Sequence, residues 1–408
     1  MPGPLSGIVV LDLSRILAGP WATQVLADFG AEVIKIEHPQ GGDDTRKWGP
    51  PYLKDADGHD TSESAYYLAT NRGKRSVAID LAAAEGRALV RQLAGQADVL
   101  VENFKVGGMA KFGLGHADLA QLNPRLVYLS ISAFGQDGPE AASPGYDAMI
   151  QGMGGLMSIT GVPDGEPGGG PQKVGVAVAD LMCGMYAVAA VLAALHERRN
   201  SGQGQYIDLS LLDTQVAWLA NQSLNYLVSG QPPRRQGTAH PNIVPYQAFA
   251  TSDGYLMLAV GNDAQFARFC SVAGLEELIA DERFATNRQR VANRHGLLPR
   301  VVEAMRRRPT SVWLESLRSA QVPCGPINDL AQVFAEPQVQ HRQLRIDLPH
   351  PLAGSVPGVR NPVQFSRSAL EYERAPPLLG ADTDDVLSRR LSLTEATIAG
   401  LRARGVVL

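Results

Sequence analysis

A single carboxylate, Asp180, interrupts the run GVAVADLMCGMYAVAAVLAAL at residues 175–195, and the thiol of Cys183 follows one helical turn later. Both groups are potential nucleophiles. Asp180 also fits a plain N-cap at the start of a helix, since Asp is a preferred cap residue. No His with an orienting acid lies near Cys183 in sequence, so among Leu, Met and Ala it reads as core packing. Two basic clusters, NRGKR at 71–75 and ENFKVGGMAKFG at 102–113, are local sources of positive charge for a phosphate. A solvated basic edge is the plain alternative, and it is the expectation for Lys74.

The run around Asp180 is long enough for a bilayer span, which needs ~20 mostly apolar residues. A carboxylate inside it and basic residues only after it, Arg198 and Arg199, make a buried helix the better reading. Elsewhere short β-rich runs alternate with amphipathic stretches. IVVLDL (8–13), AEVIKIE (31–37), KRSVAIDL (74–81), ADVLVENF (97–104) and RLVYLSISAFG (125–135) read as strands. GPWATQVLADFG, AAAEGRALVRQLAGQ and MAKFGLGHADLAQL read as the helices between them. That rhythm predicts an α/β fold with a largely parallel sheet covered on both faces. YQAFATSDGYLMLAVG reads as a hairpin of a second, smaller domain, and the Pro-rich C-terminal tail as strand-rich. The first loop, SRILAGPWATQ, lacks the glycines of a dinucleotide fingerprint, and Gly152-Met153-Gly154-Gly155 also fails that spacing.

Composition narrows the classes further. The chain has 408 residues, 45% hydrophobic and 19% charged, enough for a large core in two or three domains. A net charge of −4 and a pI near 6.1 give no general attraction to nucleic acid or an anionic membrane. Cys183, Cys270 and Cys324 are too few and too far apart for a disulfide frame or a metal site, which points to a reducing compartment. The opening MPGPLSG lacks a signal-peptide layout, so a cytoplasmic location is expected.

Seven segments in order carry a resemblance: LAGPWATQVLADFGAEVIKIEHPQGGDDTR, NRGKRSVAIDL, ADVLVENFK, GYDAMIQGMGGLMSITG, VAVADLMCGM, GQGQYIDLSLLD and VPCGPIN. Together they are similar to the motifs of the class III CoA-transferases, the formyl-CoA and carnitine CoA-transferase family, over nearly the whole chain. GDDTRKWGPPY, GTAHPNIVPYQAF and VFAEPQV resemble the succinate-hydroxymethylglutarate branch, which acts on dicarboxylates. The oxalate-specific branch carries a Gln where this chain has Leu17, which argues against oxalate. The resemblance implies a Rossmann-like large domain built from both chain ends (1–220 and 326–408) and a smaller α+β domain between (221–325). It also implies an interlocked, ring-like obligate homodimer.

By the same resemblance Asp180 is the nucleophile, forming an aspartyl anhydride and then an aspartyl-CoA thioester; both demand a dry site. Burial would weaken Asp180 at neutral pH, and the helix start would compensate by roughly 0.3–1 kcal/mol. His38, Arg72, Arg75, Asn103, Phe104, Lys105 and Lys111 are implied as the CoA channel. Lys111 stands where the family usually has Arg, so it would act as a point charge. Gly154 and Gly155 are implied near the thioester as oxyanion donors, with plain turn chemistry as the alternative. Arg15, Leu17, Arg46, Arg235 and His240 fall in the branch-like motifs and are candidates around the acceptor acid. No metal and no tightly bound cofactor are expected; CoA enters as substrate. Two other readings stand beside this one. A racemase of the same fold would need a His where QDGPEAASPGYDAM has none. A non-catalytic CoA-binding protein would bind without exchange.

Overall fold

In the computed structural model, which describes residues 2–408, the chain divides into two compact units. The larger comprises the chain up to Leu156, Val174–Leu224 and Gln340–Leu408; the smaller comprises Met157–Lys173 and Asn225–Val339.

The larger unit is organised by six strands: β1 (Val9–Asp12), β2 (Glu32–Glu37), β3 (Lys74–Ala78), β4 (Val99–Glu102), β5 (Val127–Ser132) and β6 (Tyr206–Ser210). All pair in parallel in the spatial order β3-β2-β1-β4-β5-β6, the doubly wound order whose switch point lies between β1 and β4. The first five fall where the alternation of sequence predicts. The sixth, inside GQGQYIDLSLLD, closes the edge. Side chains alternate across the sheet, so Val10, Val33, Val99 and Val101 enter one core and Leu11, Ile34 and Leu100 the other.

The first core is covered by α1 (Ala18–Asp28) and, after α2 (Ala84–Gln96) and α3 (Asp147–Met153), by α4 (Val178–Ser201). α5 (Leu211–Trp218) follows β6. Helix α4 is long and apolar enough to cross a membrane, but one face, including Cys183, Ala187 and Val191, is buried in this core. It approaches α1 closely at Gly184, where an added Cβ would meet the Ala18 carbonyl oxygen at 2.8 Å. The helix ends at Gly202, in the left-handed conformation.

The second core is covered by α2 and by the C-terminal helices α6 (Thr383–Leu391) and α7 (Glu395–Ala403), through Val386, Leu387, Ile398 and Leu401. The tail is therefore not only strands. A hairpin, Arg345–His350 with Gly354–Val359, is followed by these two amphipathic helices. Segment 109–122 is also not one helix, because the chain turns at Gly113 (φ 66°) between Gly108–Lys111 and His116–Leu122.

The smaller unit holds a three-stranded antiparallel sheet. Tyr246–Ala250 and Tyr255–Ala259 form the expected hairpin, closed by the Thr251 N–H donating to the Gly254 carbonyl at 2.9 Å, and Cys324–Pro326 joins the second strand. Phe249, Leu256, Phe269, Cys270 and Trp313 pack in its core. Residues 157–173 belong to this unit because Gly161 accepts from the Gly237 N–H at 3.1 Å and Asp164 pairs with Arg235.

Candidate active site

Asp180 is the third residue of α4, and it does not cap its own helix. The N-cap position is Ala177, without a side-chain acceptor. Asp147, at the start of α3, serves instead: its Oδ1 accepts from the N–H of Ala179 at 2.8 Å and of Asp180 at 3.4 Å. Asp147 is steadied by Gln151, whose Nε2 donates to Oδ2 at 2.7 Å and whose Oε1 accepts from the Val174 N–H at 2.9 Å. The Asp180 carboxylate is left half-buried, with no hydrogen-bond donor among the described residues. Desolvation, and then the charge of Asp147, push its pKa up to about 7, so the helix start does not cancel the effect of burial.

Neighbours sharpen this picture. Cys183 is fully buried, and burial and the Asp180 charge push its thiol up to about 12, against formation of the thiolate. The Tyr66 phenol is raised by burial and by the charges of Asp180, Asp147 and Asp43, and its ring meets Trp48 edge-on at 5.1 Å. Sequence reading missed Asp147 and Tyr66. Asp147 lay in view inside GYDAMIQ, but nothing local shows which helix it caps. Gly154 and Gly155 follow the turn reading. Their N–H groups donate to Ile150 (2.7 Å) and Gly152 (3.4 Å), and an added Cβ on Gly154 would strike Gln215 at 2.3 Å. In this conformation the Gly154 N–H is bonded within the turn, and the Gly155 N–H makes a longer bond there.

At the C-terminal ends of the strands lies a cavity of about 240 Å³, lined by Leu13, Arg15, His38, Asp80, Leu81, Ala82, Phe104 and Phe112 among others. This is where open parallel sheets bind ligands. The loops after β1 and β4 are clasped across the switch point: Asn103 Oδ1 accepts from the Arg15 N–H at 2.9 Å, and Asn103 Nδ2 donates to the Arg15 carbonyl at 2.8 Å. The Arg15 guanidinium lies 5.7 Å from the Phe104 ring centre and 3.0 Å from Asp44, an exposed pair that an incoming anion can replace. His38 Nε2 lies 3.7 Å from Asp80. Lys105 and Lys111 are exposed on the loop and short helix after β4, with no carboxylate partner among the described residues. Leu17 is buried where the first loop enters α1.

Four basic residues do not fit their expected places. Arg72 is buried in a bidentate pair with Asp28 (2.8 and 2.7 Å) and also donates to the Val359 carbonyl at 2.7 Å. Arg75 pairs with Glu32 and Asp385. Both lie at the N-terminal end of β3, a strand length from the cavity. Lys74 is not a solvated edge. It is fully buried against Asp12 at 3.1 Å, and desolvation lowers it to about 8. Arg46, proposed for the acceptor acid, is buried between Glu37 (2.8 Å) and Glu63 (3.2 Å), over the Tyr67 ring.

In the smaller unit, Arg235 is paired with Asp164. His240 stacks on Tyr246 at 5.3 Å, and partial burial together with Arg294 lowers its pKa. Arg294, missed in the sequence, donates to Gln236 and to the Pro241 carbonyl at 2.7 Å and has no carboxylate partner among the described residues.

The sequence model of the family described as CoA-transferase family III matches residues 5–383. A succinate–glutarate CoA-transferase of Agrobacterium fabrum is 53% identical over 385 residues, 94% of this chain and 95% of that protein. The human succinyl-CoA:glutarate CoA-transferase is 43% identical over 406 residues, 99% of this chain and 90% of the relative. Among solved structures, a CAIB/BAIF family protein from Brucella suis superposes with a TM-score of 0.83 at 48% identity, covering 96% of this chain and 100% of that one.

Proposed function

Since the chain belongs to CoA-transferase family III, we propose that it moves CoA from succinyl-CoA to glutarate or a similar short dicarboxylate by covalent catalysis on Asp180. The observation that carries the chemistry is the free Asp180 carboxylate at the start of α4, with the capping duty taken by Asp147. Ionised Asp180 attacks the thioester carbonyl and expels CoA thiolate, leaving a succinyl–aspartyl anhydride. The thiolate attacks the aspartyl carbonyl, releasing succinate and forming an aspartyl-CoA thioester. The acceptor carboxylate attacks that thioester and expels thiolate again. The thiolate then attacks the acceptor's acyl carbonyl, giving the new CoA thioester and free Asp180.

The names of the two glutarate-acting relatives support the substrate pair. The cavity at the strand ends suits the CoA adenosine, with Arg15 and His38 in its wall and the exposed Lys105 and Lys111, on the segment that carries the lining residues Phe104 and Phe112, for the phosphates. We place the enzyme in the cytoplasm as an interlocked homodimer. Exposed apolar side chains such as Val176, Met185 and Val228 give a second copy surface to cover, and dilution should leave the dimer intact.

The test is an exchange assay with succinyl-CoA against a panel of mono- and dicarboxylic acids, coupled to hydroxylamine trapping. Glutarate should lead the panel, and a hydroxamate should form on the peptide containing Asp180. Label on Cys183, or exchange confined to monocarboxylates, overturns the reading.

A further inference from the structure

One residue of the first loop stands in a conformation that its own side chain disfavours. Ile16 has φ 73°, in the left-handed region, where a β-branched residue is a steric outlier. Such a conformation persists only when its surroundings over-determine it, and such outliers cluster at ligand clamps. The loop runs from the end of β1 to the start of α1 and contributes Leu13 and Arg15 to the cavity wall.

The Leu13 N–H bonds the Val101 carbonyl and the Ser14 N–H bonds Asp12, both at the end of the strand, and beyond them the loop backbone is held by charged or amide side chains from other segments. The Ile16 N–H is shared between the two carboxylate oxygens of Asp43, at 3.2 and 3.3 Å. Lys35, from β2, donates to the Ser14 carbonyl at 2.8 Å and to Asp43 Oδ2 at 2.9 Å, and both side chains are fully buried. Asp43 is braced in turn by the Thr45 N–H at 3.0 Å and the Thr45 hydroxyl at 2.8 Å, both on Oδ1. Asn103 grips Arg15 between these anchors. The Lys35–Asp43 pair thus ties the strand interior to the loop.

We propose that the buried Lys35–Asp43 ion pair is a positioning device, holding Ile16 in its left-handed conformation so that Arg15 and the loop are preset against the Asn103 loop for the CoA thioester. This rests on reading the strand-end cavity as the CoA site. Neither residue is a catalytic group; both act through the loop. Its cost is two charges without water, which a core built for packing alone would replace with apolar side chains.

Asp43→Asn is the direct probe. Its single oxygen stays with Thr45 and keeps the 3.2 Å contact with the Ile16 N–H, while its amide N–H₂ replaces Oδ2 and faces the Lys35 ammonium, so the ion pair and one of the two acceptors of the Ile16 N–H are lost. The KM for succinyl-CoA should rise roughly tenfold while kcat falls less than about threefold, as expected when ground-state positioning is lost. Adding Ile16→Gly should recover most of that KM, because glycine takes a positive φ without steric cost. It should not recover the melting temperature. A merely structural pair would show the opposite pattern. If Asp43→Asn does not fold, Lys35→Gln/Asp43→Asn, which leaves no unpaired buried charge from the pair, is read the same way. An unchanged KM, or no recovery with glycine, overturns the proposal. Ala82→Trp, filling the cavity from its exposed rim, separates the two readings. If that change leaves the KM for succinyl-CoA unaltered, the cavity is not the CoA site and the proposal falls with it. If it raises KM while Asp43→Asn does not, only the positioning role is overturned.

Discussion

Asp147 accepts the backbone N–H of Asp180 at 3.4 Å, and its negative charge also helps hold the Asp180 carboxyl up to about pH 7. One side chain thus organises the helix start and sets the nucleophile's charge. The consequence is a pH dependence. For succinyl-CoA, kcat/KM should rise with pH through an acid limb near 7, as Asp180 ionises. Asp147→Asn keeps an acceptor for the Ala179 N–H and removes the charge, so the limb should move to lower pH. It should stay above the ordinary aspartate range, because desolvation is the larger cause. A limb that does not move would show that Asp147 acts only as a cap.

Asp180→Asn should abolish both exchange and the hydroxamate while stabilising the fold. The folded-state pKa of about 7 lies above the ordinary value of 3.8. Ionised Asp180 is therefore destabilising, with no effect below 3.8, a growing one between the two values and a full one above 7. Melting curves should show the variant more stable at pH 8, on the order of 1–3 kcal/mol, and equal to the parent at pH 4. A variant of unchanged stability at pH 8 would contradict the raised pKa.

Lys111→Ala and Arg72→Ala should separate binding from folding. The first removes an exposed, unpaired charge near the proposed phosphate site and should raise the KM for the CoA thioester more than it lowers kcat. The second strands Asp28 in the core and should cost about 3–5 kcal/mol of stability. Denaturant titration beside steady-state kinetics reads both effects. Equal KM effects without a stability difference would refute the assignment.

Gly184→Val should destabilise the larger unit by about 1–3 kcal/mol, since its Cβ would press on the Ala18 carbonyl and the Trp21 ring. Gly175→Val, at a glycine with no atom near its missing Cβ, is the control. Equal melting temperatures for the two would show that α1 and α4 have room to part.

Periodicity along the chain is a local property, and what it controls was legible. Five strands of the parallel sheet, the hairpin at 246–259 and the start and stop of α4 follow from side-chain alternation and from turn residues such as Gly202. The position of Asp180 at a helix start was legible for the same reason, and its place in a run of family-like motifs singled it out. The fate of the cations was not. Arg46, Arg72 and Lys74 resemble Lys111 in type and setting, yet they are buried because Glu37, Asp28 and Asp12 arrive from other strands and helices to neutralise them. Whether a charge faces a ligand or the core depends on which end of a strand it occupies and on which carboxylate the fold brings to it. Sequence spacing carries neither quantity. Asp147 and Tyr66 reach Asp180 for the same reason: their proximity is created by packing between segments far apart in the chain.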